Sequence, residues 1–183
     1  RLQTMAEGLG LQVLSLTFPL AEPITAEPVE AALREHPEVK ALEARMAAEN
    51  HADEIDMVMN ISAFKTGDYQ AVESEIKLVV GAAVPCPVKV IIEAALLTDE
   101  EKRKACQLVI AGGAQFVKTS TGFAKSGATV SDVRLLKEET AGSGLGIKAA
   151  GGIRDAVAAK AMIEAGATRI GTSVGHLIVA EDI

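Results

Sequence analysis

Apolar and polar positions along this chain follow two periods, and the switch between them recurs. Leu11 to Phe18 is a short apolar run closed by Pro19, which predicts a strand. Pro23, Pro28 and Pro37 then punctuate an acidic, alanine-rich stretch, so residues 21–38 are expected to form an inserted segment. From Glu38 the residues Val39, Leu42 and Met46 fall at helical spacing. A strand is predicted over Ile55–Ile61, with Asp56, Val58 and Asn60 on one face and Ile55, Met57 and Met59 on the other. Val72, Ile76, Val79 and Val80 mark the next helix, and Val88–Ile92 the next strand.

The alternation continues to the end of the chain. Thr98 and Glu101 match the T-x-x-E capping box and open a helix that runs to Ala111. Strands are predicted over Phe116–Ser120, Ile147–Ala150 and Thr168–Thr172, and helices over Val130–Glu139 and Asp155–Ala165. Alanine-glycine endings before two of these strands suit helix C-caps. The strands recur at intervals of roughly 20 to 30 residues, the spacing of a βα repeat. Such a repeat builds either a doubly wound open sheet or a closed barrel.

Polar residues inside the strands separate the two. Asp56, Asn60, Glu93, Lys118 and Lys148 interrupt runs whose other positions are apolar, as expected when strands line a shared interior and helices pack outside. The expected fold is therefore α/β, a (β/α)8 barrel of the TIM type. Six strands are recognised where a complete barrel has about eight, so a single domain over residues 1–183 is expected, short of its first two βα units. The cluster Gly142 to Gly146 precedes a strand, whereas a dinucleotide fingerprint follows one; it is read as a turn.

Composition narrows the function classes. The chain has 183 residues, is 49% hydrophobic and carries a formal charge of -7, with no basic run that would serve a nucleic-acid surface. No apolar run has the length of a membrane span, and no leader pattern opens the chain, so a cytoplasmic location without membrane contact is expected. Cys86 and Cys106 lack a CxxC spacing, and His36, His51 and His176 do not group as metal ligands; neither a disulfide, a metal nor a cofactor is expected. The chain begins with Arg1, so its natural N-terminus is expected to be processed or missing.

The chemistry concentrates in two stretches. Phe116-Val117-Lys118-Thr119-Ser120-Thr121-Gly122 places a lysine inside a strand that ends in a hydroxyl-rich turn, and Gly146 to Arg154 repeats the arrangement around Lys148. Desolvation makes an ammonium easier to deprotonate, and the neutral amine can attack a carbonyl carbon to form an imine. A carboxylate at Asp56 beside two amines suits proton transfer around a carbonyl. The alternative for Asp56 and Lys148 is a buried ion pair with no chemical role.

These stretches, together with Leu16 to Leu20, Ala52 to Ile61, Lys65 to Tyr69, Val88 to Glu101 and Arg169 to Ser173, resemble the deoxyribose-phosphate aldolases of the DeoC family. The resemblance runs from about residue 11 to 180. It implies a class I lyase that cleaves 2-deoxy-D-ribose 5-phosphate to D-glyceraldehyde 3-phosphate and acetaldehyde without a cofactor. Lys118 is then the Schiff-base lysine, Lys148 the second lysine whose charge keeps Lys118 partly unprotonated, and Asp56 the proton-handling carboxylate. Gly122, Gly151, Gly152, Gly171 and Ser173, with Arg154, match the family's phosphate positions. Val174 stands where the family often has a second serine, which predicts one fewer hydroxyl contact. The family's two opening strand motifs are not found in these residues. A second reading, a silent homologue that binds a sugar phosphate or self-associates as a homo-oligomer through open sheet edges, and a third, a phosphate-binding barrel enzyme of another type, follow from the same features.

Overall fold

The computed structural model describes residues 36–180, which form an open parallel sheet with helices on one face. Its elements are α1 (Pro37–Glu49), β1 (Ile55–Val58), α2 (Ile61–Lys65), α3 (Tyr69–Ala83), β2 (Val88–Ile91), α4 (Asp99–Ala111), β3 (Phe116–Lys118), α5 (Val130–Glu139), β4 (Gly146–Ala150), α6 (Ala156–Ala165), β5 (Arg169–Gly171) and α7 (Gly175–Ala180). The five strands lie side by side in chain order, every pair parallel. The strand expected near residue 13 and nearly all of the 21–38 segment lie outside the described residues. Among the described residues no helix is long and apolar enough to cross a membrane.

Strand parity divides the sheet into a dry face and a charged one. Ile55, Met57, Val88, Val90, Val117, Ile147 and Ala149 are buried against the helices, where each large apolar side chain contributes about 1.5–3 kcal/mol. The register puts Asp56 beside Lys89, and Ile91, Lys118, Lys148 and Arg169 in one row across four strands. Parallel partners point to the same side of a sheet. The charges of all five strands therefore share one face, as the lumen of a barrel requires.

The helices follow their sequence signals closely. Thr98 and Glu101 form both bonds of the capping box, Asp155 caps α6 through Ala158, and Val72, Ile76 and Val79 are buried on α3. α1 differs from expectation. Its buried positions are Ala41 and Ala44 rather than a Val39, Leu42 and Met46 stripe, and Leu42 is 45% exposed. Small side chains let α1 approach α3 closely, and the contact also holds an ion pair. Lys40 reaches the buried Glu75 at 2.8 Å and donates to the carbonyl of Val58 at 3.0 Å, while Glu75 accepts from the Asn60 N–H at 3.2 Å. Asn60 itself caps α2, accepting from the Ala63 N–H at 2.9 Å, so it serves the end of β1 and not the interior cavity expected for it.

Candidate active site

Asp56 is the hub of the charged face. Its Oδ2 accepts from Lys118 Nζ at 2.7 Å and from Lys148 Nζ at 3.1 Å, and its Oδ1 lies 3.2 Å from Lys89 Nζ. Lys89 also reaches Glu54 at 2.9 Å, and Glu54 pairs with Arg169. The cluster thus sets two carboxylates against four cations. The ammonium-bearing side chains are only 4%, 12% and 16% exposed for Lys89, Lys118 and Lys148. Burial acts to raise the Asp56 carboxyl, but hydrogen bonds from Lys118 and Lys148, with Lys89 behind them, outweigh it and bring the pKa down to about 2. Glu54 is lowered in the same sense, first by its hydrogen bond from Arg169 and then by Lys89.

Lys118 and Lys148 form one wall of a cavity of about 480 Å³. The opposite walls come from the turns after β3, β4 and β5, which contribute Gly122, Gly151, Gly152, Arg154 and Ser173, and from Gly171 at the end of β5. All the residues expected to bind phosphate are therefore brought together with both lysines, while Asp56 holds the lysines from behind. Gly122, Gly151 and Gly152 have φ of +99°, +88° and +77°, a region that glycine enters without strain. The N–H groups of Gly122, Gly152 and Ser173 donate no hydrogen bond among the described residues. Such unspent donors in turns suit an anion. Arg154 is an exposed cation on the same rim, and the helix-capping role falls to Asp155 next to it.

The turns are locked by close backbone contact. A Cβ on Gly127 would collide with the Gly151 carbonyl group, and Ala128 N–H donates to the carbonyls of both Ala150 and Gly151. Buried Thr119 adds a second tie, exchanging bonds with the Ala150 backbone through its hydroxyl. Phe116 supports the site from below: its ring lies against Gly146, which has no side chain to obstruct it, and Arg169 stands over the ring at 4.7 Å.

A larger hollow, about 630 Å³, follows β1 on the side of α1 and has mainly apolar walls. It is the unpaired flank of the edge strand, without the cluster of turns that marks the smaller cavity. Lys89, Glu54 and Arg169 are the site residues that motif reasoning passes over. Lys89 was accessible to strand parity, since it shares its face with Glu93; Glu54 precedes its strand and carries no such signal.

A parallel α/β fold whose strand lysines meet a glycine-lined cavity belongs to the class of barrel aldolases. The chain matches the DeoC/LacD family of aldolases over residues 22–180 and belongs to that family. It is 62% identical over 143 residues to a deoxyribose-phosphate aldolase of Streptococcus uberis, an alignment covering 78% of this chain and 64% of the relative. The chain therefore spans just under two thirds of that relative's length. Among solved structures, an aldolase designated QR15 superposes with a TM-score of 0.78 at 46% identity, covering 80% of this chain and 66% of the other. A tetrameric deoxyribose phosphate aldolase from Aeropyrum pernix gives a TM-score of 0.70 at 32% identity, covering 99% and 72%.

Proposed function

We propose that this chain carries the catalytic strands of a deoxyribose-phosphate aldolase, a class I lyase acting on 2-deoxy-D-ribose 5-phosphate. The observation that carries the reading is the placement of Lys118 and Lys148 on the wall of the cavity whose other side offers unspent backbone donors. The phosphate would sit on the turns of Gly122, Gly152 and Ser173, with Arg154 adding charge from the rim. The substrate's aldehyde end would then face the lysines.

In this mechanism the neutral Lys118 amine forms a bond to C1 of the open-chain sugar, and the carbonyl oxygen leaves as water to give an iminium. Removal of the C3 hydroxyl proton breaks the C2–C3 bond; the electron pair moves toward the iminium, leaving an enamine and releasing D-glyceraldehyde 3-phosphate. Protonation at C2 and hydrolysis release acetaldehyde and regenerate the lysine. Asp56 is poised to change basicity during this cycle. While Lys118 is an ammonium it holds the carboxyl low; once Lys118 becomes a neutral carbinolamine that hydrogen-bonding cation is gone, and Asp56 takes up a proton more readily. Lys148 remains as the neighbouring cation and proton donor.

The test is reductive trapping. Acetaldehyde and borohydride should attach a two-carbon unit to Lys118, located by peptide mass spectrometry. Labelling at another lysine, or none in a chain extended to the length of its relatives, would refute the mechanism. Homo-oligomer formation is part of the proposal, and sedimentation of that extended chain measures it.

A further inference from the structure

We infer that Glu93 is a positioning residue for the anion site, setting the 121–123 rim of the cavity so that Gly122 is left as its unspent donor. The inference rests on the aldolase reading for its substrate, but its geometry is independent of it. Glu93 follows β2 and is 6% exposed, with φ +50° and ψ 63°, a left-handed conformation unusual for a glutamate. The backbone around it stays tied to the chain after β3: Ile92 N–H donates to Lys118 O at 3.0 Å and Ala94 N–H to Thr119 O at 2.8 Å. The side chain then crosses to Thr121, accepting from its N–H at 3.2 Å and from its hydroxyl at 2.5 Å. The Thr121 hydroxyl in turn accepts from the Phe123 N–H at 3.2 Å.

The donors of this rim are thus apportioned. Thr121 gives both of its own to Glu93, Phe123 gives its N–H to Thr121, and the Gly122 N–H has no acceptor among the described residues. Glu93 forms no ion pair among the described residues, so its carboxylate is held there by N–H and O–H donors alone. Burying a carboxylate without a cation is costly, and a merely structural tie could use a neutral side chain. Both Thr121 donors converge on Oε2 of Glu93, where a carboxylate's negative charge strengthens each bond, and unlike an amide the side chain has no N–H that could compete for the rim.

The experiment compares Glu93→Gln, Thr121→Val and the double variant in the full chain, with 2-deoxyribose 5-phosphate and unphosphorylated 2-deoxyribose as substrates. Each single change should raise KM for the phosphorylated sugar about tenfold, the loss of one charge-assisted hydrogen bond, with a much smaller effect on the unphosphorylated sugar. The double variant should be no worse than either single one, because both changes cut the same link. Thr121→Ser should recover the lost affinity. Equal losses on the two sugars, or losses that multiply in the double variant, would overturn the assignment. Failure of the aldolase reading shows separately, as absence of a borohydride adduct in the unaltered chain. Inorganic phosphate then serves as the probe. It should raise the Tm of the unaltered chain and do so less for Glu93→Gln; equal stabilisation of both, or of neither, counts against the role of Glu93.

Discussion

Lys118 and Lys148 are register partners on adjacent strands, and both donate to the same oxygen atom, Oδ2 of Asp56. One acceptor shared by two ammonium groups couples whatever happens to either. Asp56→Asn removes the charge that holds the pair together and, on the proposed mechanism, the group that exchanges protons with them. It should lower kcat for sugar-phosphate cleavage by about 10²–10⁴-fold, the usual range for a positioned acid-base group. Steady-state kinetics on the extended chain measure this, and retention of activity within a factor of ten would exclude Asp56 from proton transfer.

The depressed Asp56 carboxyl also predicts a pH dependence of stability. Its folded pKa of about 2 lies below the unstructured value of 3.8, so the folded state favours the ionised form. The stabilisation is complete above the unfolded pKa and is lost as pH falls through the folded one, between roughly pH 4 and pH 2. Because a third of the side chain meets solvent, the contribution is about 1 kcal/mol. Urea unfolding across that window should show the wild-type chain losing this increment and Asp56→Asn not doing so.

Lys89 is the least exposed of the three lysines and bridges Glu54 and Asp56. Lys89→Met keeps most of the volume and removes the cation. The Asp56 carboxyl should then titrate above its present value of about 2, since one of the groups lowering it is gone. Carboxyl-selective NMR titration reads the change directly; an unmoved or lower value would show that Lys89 does not tune the site.

Gly127 lies against the Gly151 backbone with no room for a side chain. Gly127→Ala must separate the turns after β3 and β4, costing about 1–3 kcal/mol by the measure of overpacked cores. Since both turns line the cavity, affinity for inorganic phosphate should fall along with Tm. Loss of stability with phosphate affinity unchanged would show that the anion is held elsewhere.

Much of the fold is written locally. The Thr98 and Glu101 capping box, the Val130–Glu139 helix and the opposed faces of Ile55–Met59 all depend on neighbours within a turn or a strand, where periodicity is informative. The face carrying Asp56, Lys118 and Lys148 was legible for the same reason. What periodicity could not convey is the choice between equivalent stripes. On α1 both Val39–Leu42–Met46 and Ala41–Ala44 satisfy helical spacing, and the buried Glu75 on the facing helix selects the small one by admitting Lys40. Asn60 likewise shares its parity with Asp56, yet it lies beyond the last paired residue of β1 and turns to capping. Lys89 and Glu54 acquire their roles from partners on other strands, a relation that no single segment encodes.

The chain-ordered sheet has a kinetic consequence. Each strand pairs with its predecessor in the chain, so every pairing closes a loop of similar modest length and the sheet can grow one unit at a time. The charged cluster does not follow that rule: Asp56 meets Lys148 across 92 positions and Glu54 meets Arg169 across 115. These contacts need the strands between them in place, so their energy is expected to add to the barrier to unfolding and little to the barrier to folding. Glu54→Gln should therefore hasten unfolding while leaving the refolding rate within about a factor of two, as stopped-flow measurements would resolve. The charges that gather Lys118 and Lys148 around Asp56 are, on this account, also the latch that sets how long the folded sheet persists.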